Sequence, residues 1–217
     1  MTTTTPPYRQ IRASFNDATI TVYQAYNREI ATAAVAQQKL HASPRFKPTR
    51  MTWIKPSWAW MLYRAGYSYK DAGQERILAL KMKHDDFIQL LKKAVLTTGH
   101  ANIDLSQEQQ QDAPRAKVKS PDVKVQWDPE RTIRLEKLEY RSIQIGIPAA
   151  LSPEWTEKWI VSIEDVTERA RELKRVLDER PDVTEEELVE LGLVPVEKPF
   201  EIHEDLQRSL RMVRDDE

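Results

Sequence analysis

Two strand-like segments, VKVQWDPER (123–131) and LEYRSIQIGI (138–147), are separated by only six residues. A connection that short cannot carry a helix across a sheet, so the pair reads as an antiparallel hairpin with Gln126 and Gln144 as neighbours. Asp128-Pro129 reads as a turn at the end of the first strand. Other strand-like stretches are RQIRASF (9–15), ATITVYQAY (18–26), MTWI (51–54) and ERILALKMK (75–83). In the last of these, Ile77, Ala79 and Lys81 alternate with Leu78, Leu80 and Met82.

Helix signals lie between and after these strands. Asn27 is placed to cap a helix over 27–40, with Glu29 in its first turn and Ile30, Ala33, Ala34 and Leu40 on its apolar side. Pro56 opens a helix that runs to about Tyr63 and stops near Gly66. Residues 84–96 read as one helix, with Asp85 and Asp86 early and Lys92 and Lys93 late. Residues 151–180 read as a long helix capped by Ser152. A shorter helix follows, starting at Thr184 and ending at Gly192. The mixture predicts an α+β fold: a mixed or mainly antiparallel sheet packed by helices, with a helical acidic C-terminal segment.

The division expected is a disordered N-terminus over 1–8, a basic α+β domain over 9–167, and an acidic helical extension over 168–217 packed on that domain. Residues 99–121, polar and Gln-rich, read as a long loop or insertion. Charge supports the split. Residues 1–150 hold 23 Lys+Arg and 14 Asp+Glu, net +9; residues 151–217 hold 10 and 20, net −10. Such asymmetry fits an anionic partner for the first part, and equally a tail that neutralises the body. Without cysteine, disulfides and thiolate metal sites are excluded. The four histidines are scattered, so no metal site is expected. No apolar run reaches the length of a signal peptide or a membrane span, so the protein is expected in the cytoplasm and off the membrane. Walker, GxGxxG and GxSxG patterns are missing, which disfavours P-loop, Rossmann and serine-hydrolase chemistry.

The strings RMTWIKPSWAWMLYRAGY (50–67), RQIRASF (9–15), VYQAYN (22–27), VQWDPER (125–131) and RSIQIGI (141–147) together resemble the family called domain of unknown function 4291. The resemblance runs from about Arg9 to Val166. It implies a shared domain and carries no reaction with it.

Chemistry therefore has to be sought in residue types. Arg50, Trp53, Lys55, Ser57, Trp58, Trp60 and Arg64 interleave cations with indoles. That combination suits an anionic aromatic ligand, a nucleotide or nucleic acid, with rings stacking on a base and cations gripping phosphate. The helix start at Pro56-Ser57 offers free backbone N–H groups to an anion. The same residues also suit a core with a cationic rim. A second group is Arg9 and Arg12, on opposite faces of their strand, with Tyr23, Gln24, Tyr26 and Asn27. A third is Gln126, Trp127, Asp128 and Glu130 with Arg141, Ser142 and Gln144. Gln144 stands between two isoleucines, and a buried amide needs partners. Asp128 and Glu130 read as turn residues or as an acid and a base.

An early-strand arginine (Arg9 or Arg12) and a late-strand Gln144 loosely resemble the ADP-ribosyltransferase group. In that group the arginine grips the dinucleotide phosphates of NAD, and a late carboxylate positions the ribose. The departure is that the late strand here carries glutamine. On this reading Gln144 and Arg141 are the catalytic candidates of a nucleotidyl- or ADP-ribosyl-transferring enzyme with NAD or nucleic acid as substrate. Arg9, Arg12, Tyr26, Arg50, Trp53, Lys55, Ser57, Arg64 and Trp127 then bind the ligand. The alternative is a single-stranded RNA- or DNA-binding module without catalysis.

Overall fold

The computed structural model describes residues 6–97 and 122–212. The expected insertion at 99–121 lies outside the described residues. The fold is α+β, as the element order predicts. Strands β1 (Arg12–Ala13), β2 (Thr19–Tyr26), β3 (Thr52–Ile54) and β4 (Arg76–Lys83) come first in the chain, interspersed with helices α1 (Arg28–Gln37) and α2 (Trp58–Ala65). Next come α3 (His84–Lys92), β5 (Ala94–Leu96), β6 (Val123–Arg131) and β7 (Lys137–Ile147). The last part holds α4 (Ser152–Glu154), β8 (Ile160–Asp165), α5 (Thr167–Glu179), α6 (Glu185–Glu190), β9 (Lys198–Pro199) and α7 (Glu204–Ser209).

One sheet has the order β2-β4-β8 and is antiparallel throughout. The other has the order β3-β7-β6-β5, with only the β5–β6 pair parallel. A backbone bridge joins them. Tyr23 N–H donates to the Lys55 carbonyl at 2.7 Å, and Lys55 N–H donates back to the Tyr23 carbonyl at 3.2 Å. Alternation along the strands then decides which residues face the core. Ile20, Val22, Leu78, Leu80 and Met82 from one sheet share a core with Ile54, Val123, Val125, Ile143, Ile145 and Ile147 from the other. On the reverse side of the first sheet, Tyr23, Ile77 and Ala79 meet a second core built with Trp58, Met61 and Leu62 of α2 and Ala170 and Leu173 of α5.

Several local expectations need correction. Ala94–Leu96 is not the end of a helix; it leaves α3 and pairs with β6. Asp128-Pro129 is not a turn. The strand runs on to Arg131, with Pro129 opposite Arg141 and a bulge after it. Pro129 is tolerated because β5 covers only Val123–Val125, so among the described residues the outer edge of β6 has no strand partner there. The helix expected over 151–180 is broken. A π-helical turn over Trp155–Trp159 buries both indoles, and Ile160–Asp165 becomes β8 along the open side of β4. A run of β-branched residues serves a strand better than a helix once a sheet edge needs a partner.

The chain beyond Val166 is woven into the same body. α5 lies in the second core, and β9 pairs with β1. Tyr8 is also held, since its carbonyl accepts from Arg141 N–H at 2.7 Å. Among the described residues, no helix is long and apolar enough to cross a membrane.

Candidate functional site

The outer face of the second sheet is polar. Ile54, Ile143, Ile145 and Ile147 point to the core, so Trp53, Lys55, Ser142, Gln144 and Gly146 point the other way. β6 adds Gln126, which is opposite Gln144, and Asp128, which is opposite Ser142. Lys55 follows the Ile54–Ile145 pair in register, so Lys55, Gln144 and Gln126 form a row across three strands. Neighbouring strands stand about 4.8 Å apart, which puts these side chains within reach of one another.

Both glutamines serve Asp128. Gln126 Nε2 donates to one carboxylate oxygen and Gln144 Nε2 to the other, each at 2.7 Å. Burial raises the Asp128 pKa above the usual carboxylate range, and the two amides and the Lys55 charge oppose that rise. The Lys55 side chain is buried, with 6% exposure. Its ammonium lies 5.2 Å from the Trp60 ring centroid, and the Trp53 carbonyl at 3.5 Å is its only hydrogen-bond acceptor among the described residues. Burial brings its pKa down from 10.5 to about 7, assisted by the charge of Arg64 and opposed by that of Asp128. Arg64 stands half-buried in the last turn of α2 and has no carboxylate partner among the described residues.

Trp53 covers this face from the other end. A methyl group at Gly146 would lie 3.0 Å from its ring and 2.9 Å from Met51 Sδ, so the indole lies against bare backbone. Behind it, Gln24 Nε2 donates to Thr52 Oγ1 at 2.5 Å and to the Trp53 carbonyl at 3.2 Å, while the Tyr26 hydroxyl donates to Gln24 Oε1 at 3.1 Å.

A second polar cluster adjoins the first, where α2 begins. Ser57 caps α2 by accepting from Trp60 N–H at 3.0 Å, and its hydroxyl donates to Glu130 at 2.9 Å. Glu197 accepts from Trp58 N–H at 2.6 Å. Two of the N–H groups expected to be free at this helix start, those of Trp60 and Trp58, are therefore already occupied, by the cap side chain and by a carboxylate of the acidic tail. Burial pushes the Glu197 carboxyl up to about 8, and the nearby Glu130 charge adds to the rise. Arg12 donates to the Glu197 carbonyl at 2.9 Å, which ties β1 to the same corner.

The family described as Domain of unknown function (DUF4291) matches residues 10–200. The chain belongs to this family. Among curated proteins, none matches the chain. The DUF4291 domain thus extends well past Val166, where its recognisable strings end, and takes in Glu197 and β9.

Within the domain, Lys55, Trp53 and Gln144 share one face of the second sheet, with Tyr26 in the layer behind, and the Arg64 charge on α2 acts on Lys55. Ser57 and Arg12 belong to the adjoining Glu130–Glu197 corner. The other candidates lie elsewhere. Trp127 is turned toward the core side and donates to the Leu210 carbonyl at 3.0 Å. Arg9 and Arg141 gather at Tyr8, whose hydroxyl accepts from Arg141 Nε at 2.8 Å; Arg9 also donates to the Arg211 carbonyl at 2.9 Å. Arg141 therefore does not share the face of Gln144. Arg50 is exposed. Trp58 is a core residue, 1% exposed and packed 5.1 Å from Tyr23. Trp60 is buried with one side toward Lys55. Sequence reasoning missed Glu197. Its only signal was a lone acid, beside Lys198, in the largely apolar, proline-containing stretch VPVEKPF (194–200).

Proposed function

We propose that the protein is a group-transferring enzyme whose substrate contains a nucleotide, with ADP-ribosyl or nucleotidyl transfer as the reaction class and NAD or nucleic acid as the substrate. The observation that carries this reading is the pairing of Lys55 with Arg64 beside Asp128. Two cations are near enough for one to depress the pKa of the other, and neither has an ion-pair partner among the described residues. A phosphate placed between them supplies the missing negative charge. The half-buried Trp53 ring offers a flat surface to a base. Asp128, held by two amides, is oriented to exchange a proton with a reacting group. The role of Gln144 on this reading is to position Asp128, and the late-strand carboxylate of the ADP-ribosyltransferase pattern is replaced by Asp128 on the neighbouring strand.

The test is thermal denaturation with NAD, ADP-ribose, ATP and short oligonucleotides across a range of salt. The enzyme reading expects a mononucleotide or dinucleotide to stabilise the protein, as any ligand specific to the native state does. Arg64→Ala and Trp53→Ala should lose that stabilisation. A shift confined to oligonucleotides and fading with salt supports a single-stranded nucleic-acid-binding module instead.

A further inference from the structure

We infer that Lys55 is a covalent capture site, whose amine forms an imine with a ligand carrying an aldehyde close to a phosphate. ADP-ribose in its open-chain form belongs to that class, as do smaller phosphorylated aldehydes. The inference rests on the nucleotide reading of the same face and sharpens it by naming the ligand's reactive group.

Four features of the geometry support it. Lys55 is the buried lysine among the described residues, fixed at the joint between the sheets by two backbone hydrogen bonds to Tyr23. Its amine rests against the Trp60 ring and has no carboxylate bonded to it among the described residues. The charges of Arg64 on α2 and of Asp128 on β6 both act on it, the first lowering its pKa and the second raising it. Desolvation beside a like charge is the arrangement that keeps a lysine amine neutral and nucleophilic. Surface lysines lack it. With a pKa of about 7 in place of 10.5, Lys55 carries roughly a thousand times more neutral amine at pH 7 than an ordinary lysine.

The chemistry needs no further reagent. The Nζ lone pair attacks the carbonyl carbon, a C–N bond forms, and the carbonyl π electrons move to oxygen. Asp128 takes one proton from the nitrogen and passes it to the oxygen, leaving a carbinolamine. Asp128 then takes the second nitrogen proton as the C=N bond closes and delivers it to the departing hydroxyl, which leaves as water. Amine and aldehyde become imine and water, with no change of oxidation state. Arg64 holds the phosphate that brings the aldehyde to the amine.

The protein is incubated at pH 7 with glyceraldehyde 3-phosphate or ADP-ribose and sodium cyanoborohydride, and the reduced adduct is mapped by peptide mass spectrometry. The expected result is at least about tenfold more adduct at Lys55 than at exposed lysines such as Lys47, Lys70 or Lys92, despite its burial. The wild-type map alone overturns the proposal if labelling follows exposure or omits Lys55. Asp128→Asn should slow adduct formation by about tenfold or more. Arg64→Ala should remove the preference for the phosphorylated over the plain aldehyde. NAD has no free aldehyde, so thermal stabilisation by NAD reports binding alone. Stabilisation without an adduct at Lys55 defeats the imine and spares the nucleotide reading. An adduct from glyceraldehyde 3-phosphate without any nucleotide stabilisation upholds the amine and defeats that reading.

Discussion

Strand β7 has two faces that differ in what they bury. On one, Ile143, Ile145 and Ile147 sit in the main core with exposures of 2% or less. On the other, Ser142, Gln144 and Gly146 are also buried, yet they meet Asp128, Lys55 and Trp53. The first sheet shows what the alternative looks like, because its outer face is covered by α2 and α5 and is apolar. Burial alone therefore does not distinguish core from site here. What distinguishes them is whether the buried groups lower the folding free energy or raise it. Isoleucines lower it by leaving water. A desolvated lysine next to an arginine raises it, and such costs collect where a protein binds or reacts.

Substitutions across the two faces should then behave oppositely. Ile145→Ala should cost about 3 kcal/mol in urea denaturation by leaving a cavity, without direct loss at the polar face. Lys55→Met should keep the packing, remove the desolvated charge and raise stability by about 1 kcal/mol while abolishing ligand binding. If Lys55→Met instead unfolds the protein, the lysine is a structural element and the contrast between the faces fails. Gly146→Ala should cost about 1 kcal/mol, because its methyl meets the Trp53 ring and Met51. Tryptophan fluorescence in that variant should report a displaced Trp53.

The two buried ionisable groups also shape the pH profile. Lys55 is depressed from 10.5 to about 7, so the unfolded chain binds more protons between those values and stability rises with pH across that window. Glu197 is raised from 4.5 to about 8, so the folded chain binds more protons there and stability falls as pH rises from 4.5 to 8. Together the two groups place a minimum of stability at pH 7–8. Glu197→Gln should flatten the acid limb, and Lys55→Met the alkaline limb, in denaturation midpoints measured from pH 5 to 10.

The sequence made parts of this legible and hid others for physical reasons. The hairpin, the Gln126–Gln144 pairing, the Asn27 and Ser57 helix starts and the left-handed Gly66 all rest on local rules, and the structure has them. The ion pairs Glu168–Arg171 and Glu172–Arg175 on α5 likewise follow from helical spacing. What failed were decisions made by distant partners. IVSIED (160–165) becomes a strand because β4 has an open edge. Asp128-Pro129 stays extended because, among the described residues, the outer edge of β6 has no partner there. At the candidate site, Lys55, Trp53 and Gln144 were recognisable as residue types, but their shared face depends on the parity of three strands in register. Glu197 reaches α2 across 139 residues of chain, a contact that no spacing rule anticipates.

The titration of the Lys55 amine itself bears most directly on these conclusions. Lysine side chains carrying a carbon-13 label at Cε can be followed by NMR from pH 5 to 11, with Lys55→Arg supplying the assignment. One resonance should titrate near pH 7, vanish in the variant, and move to higher pH when a phosphate-bearing ligand is added. If every lysine titrates near its ordinary value, with no response to such a ligand, the polar face holds a solvated surface lysine and the functional reading of this site is wrong.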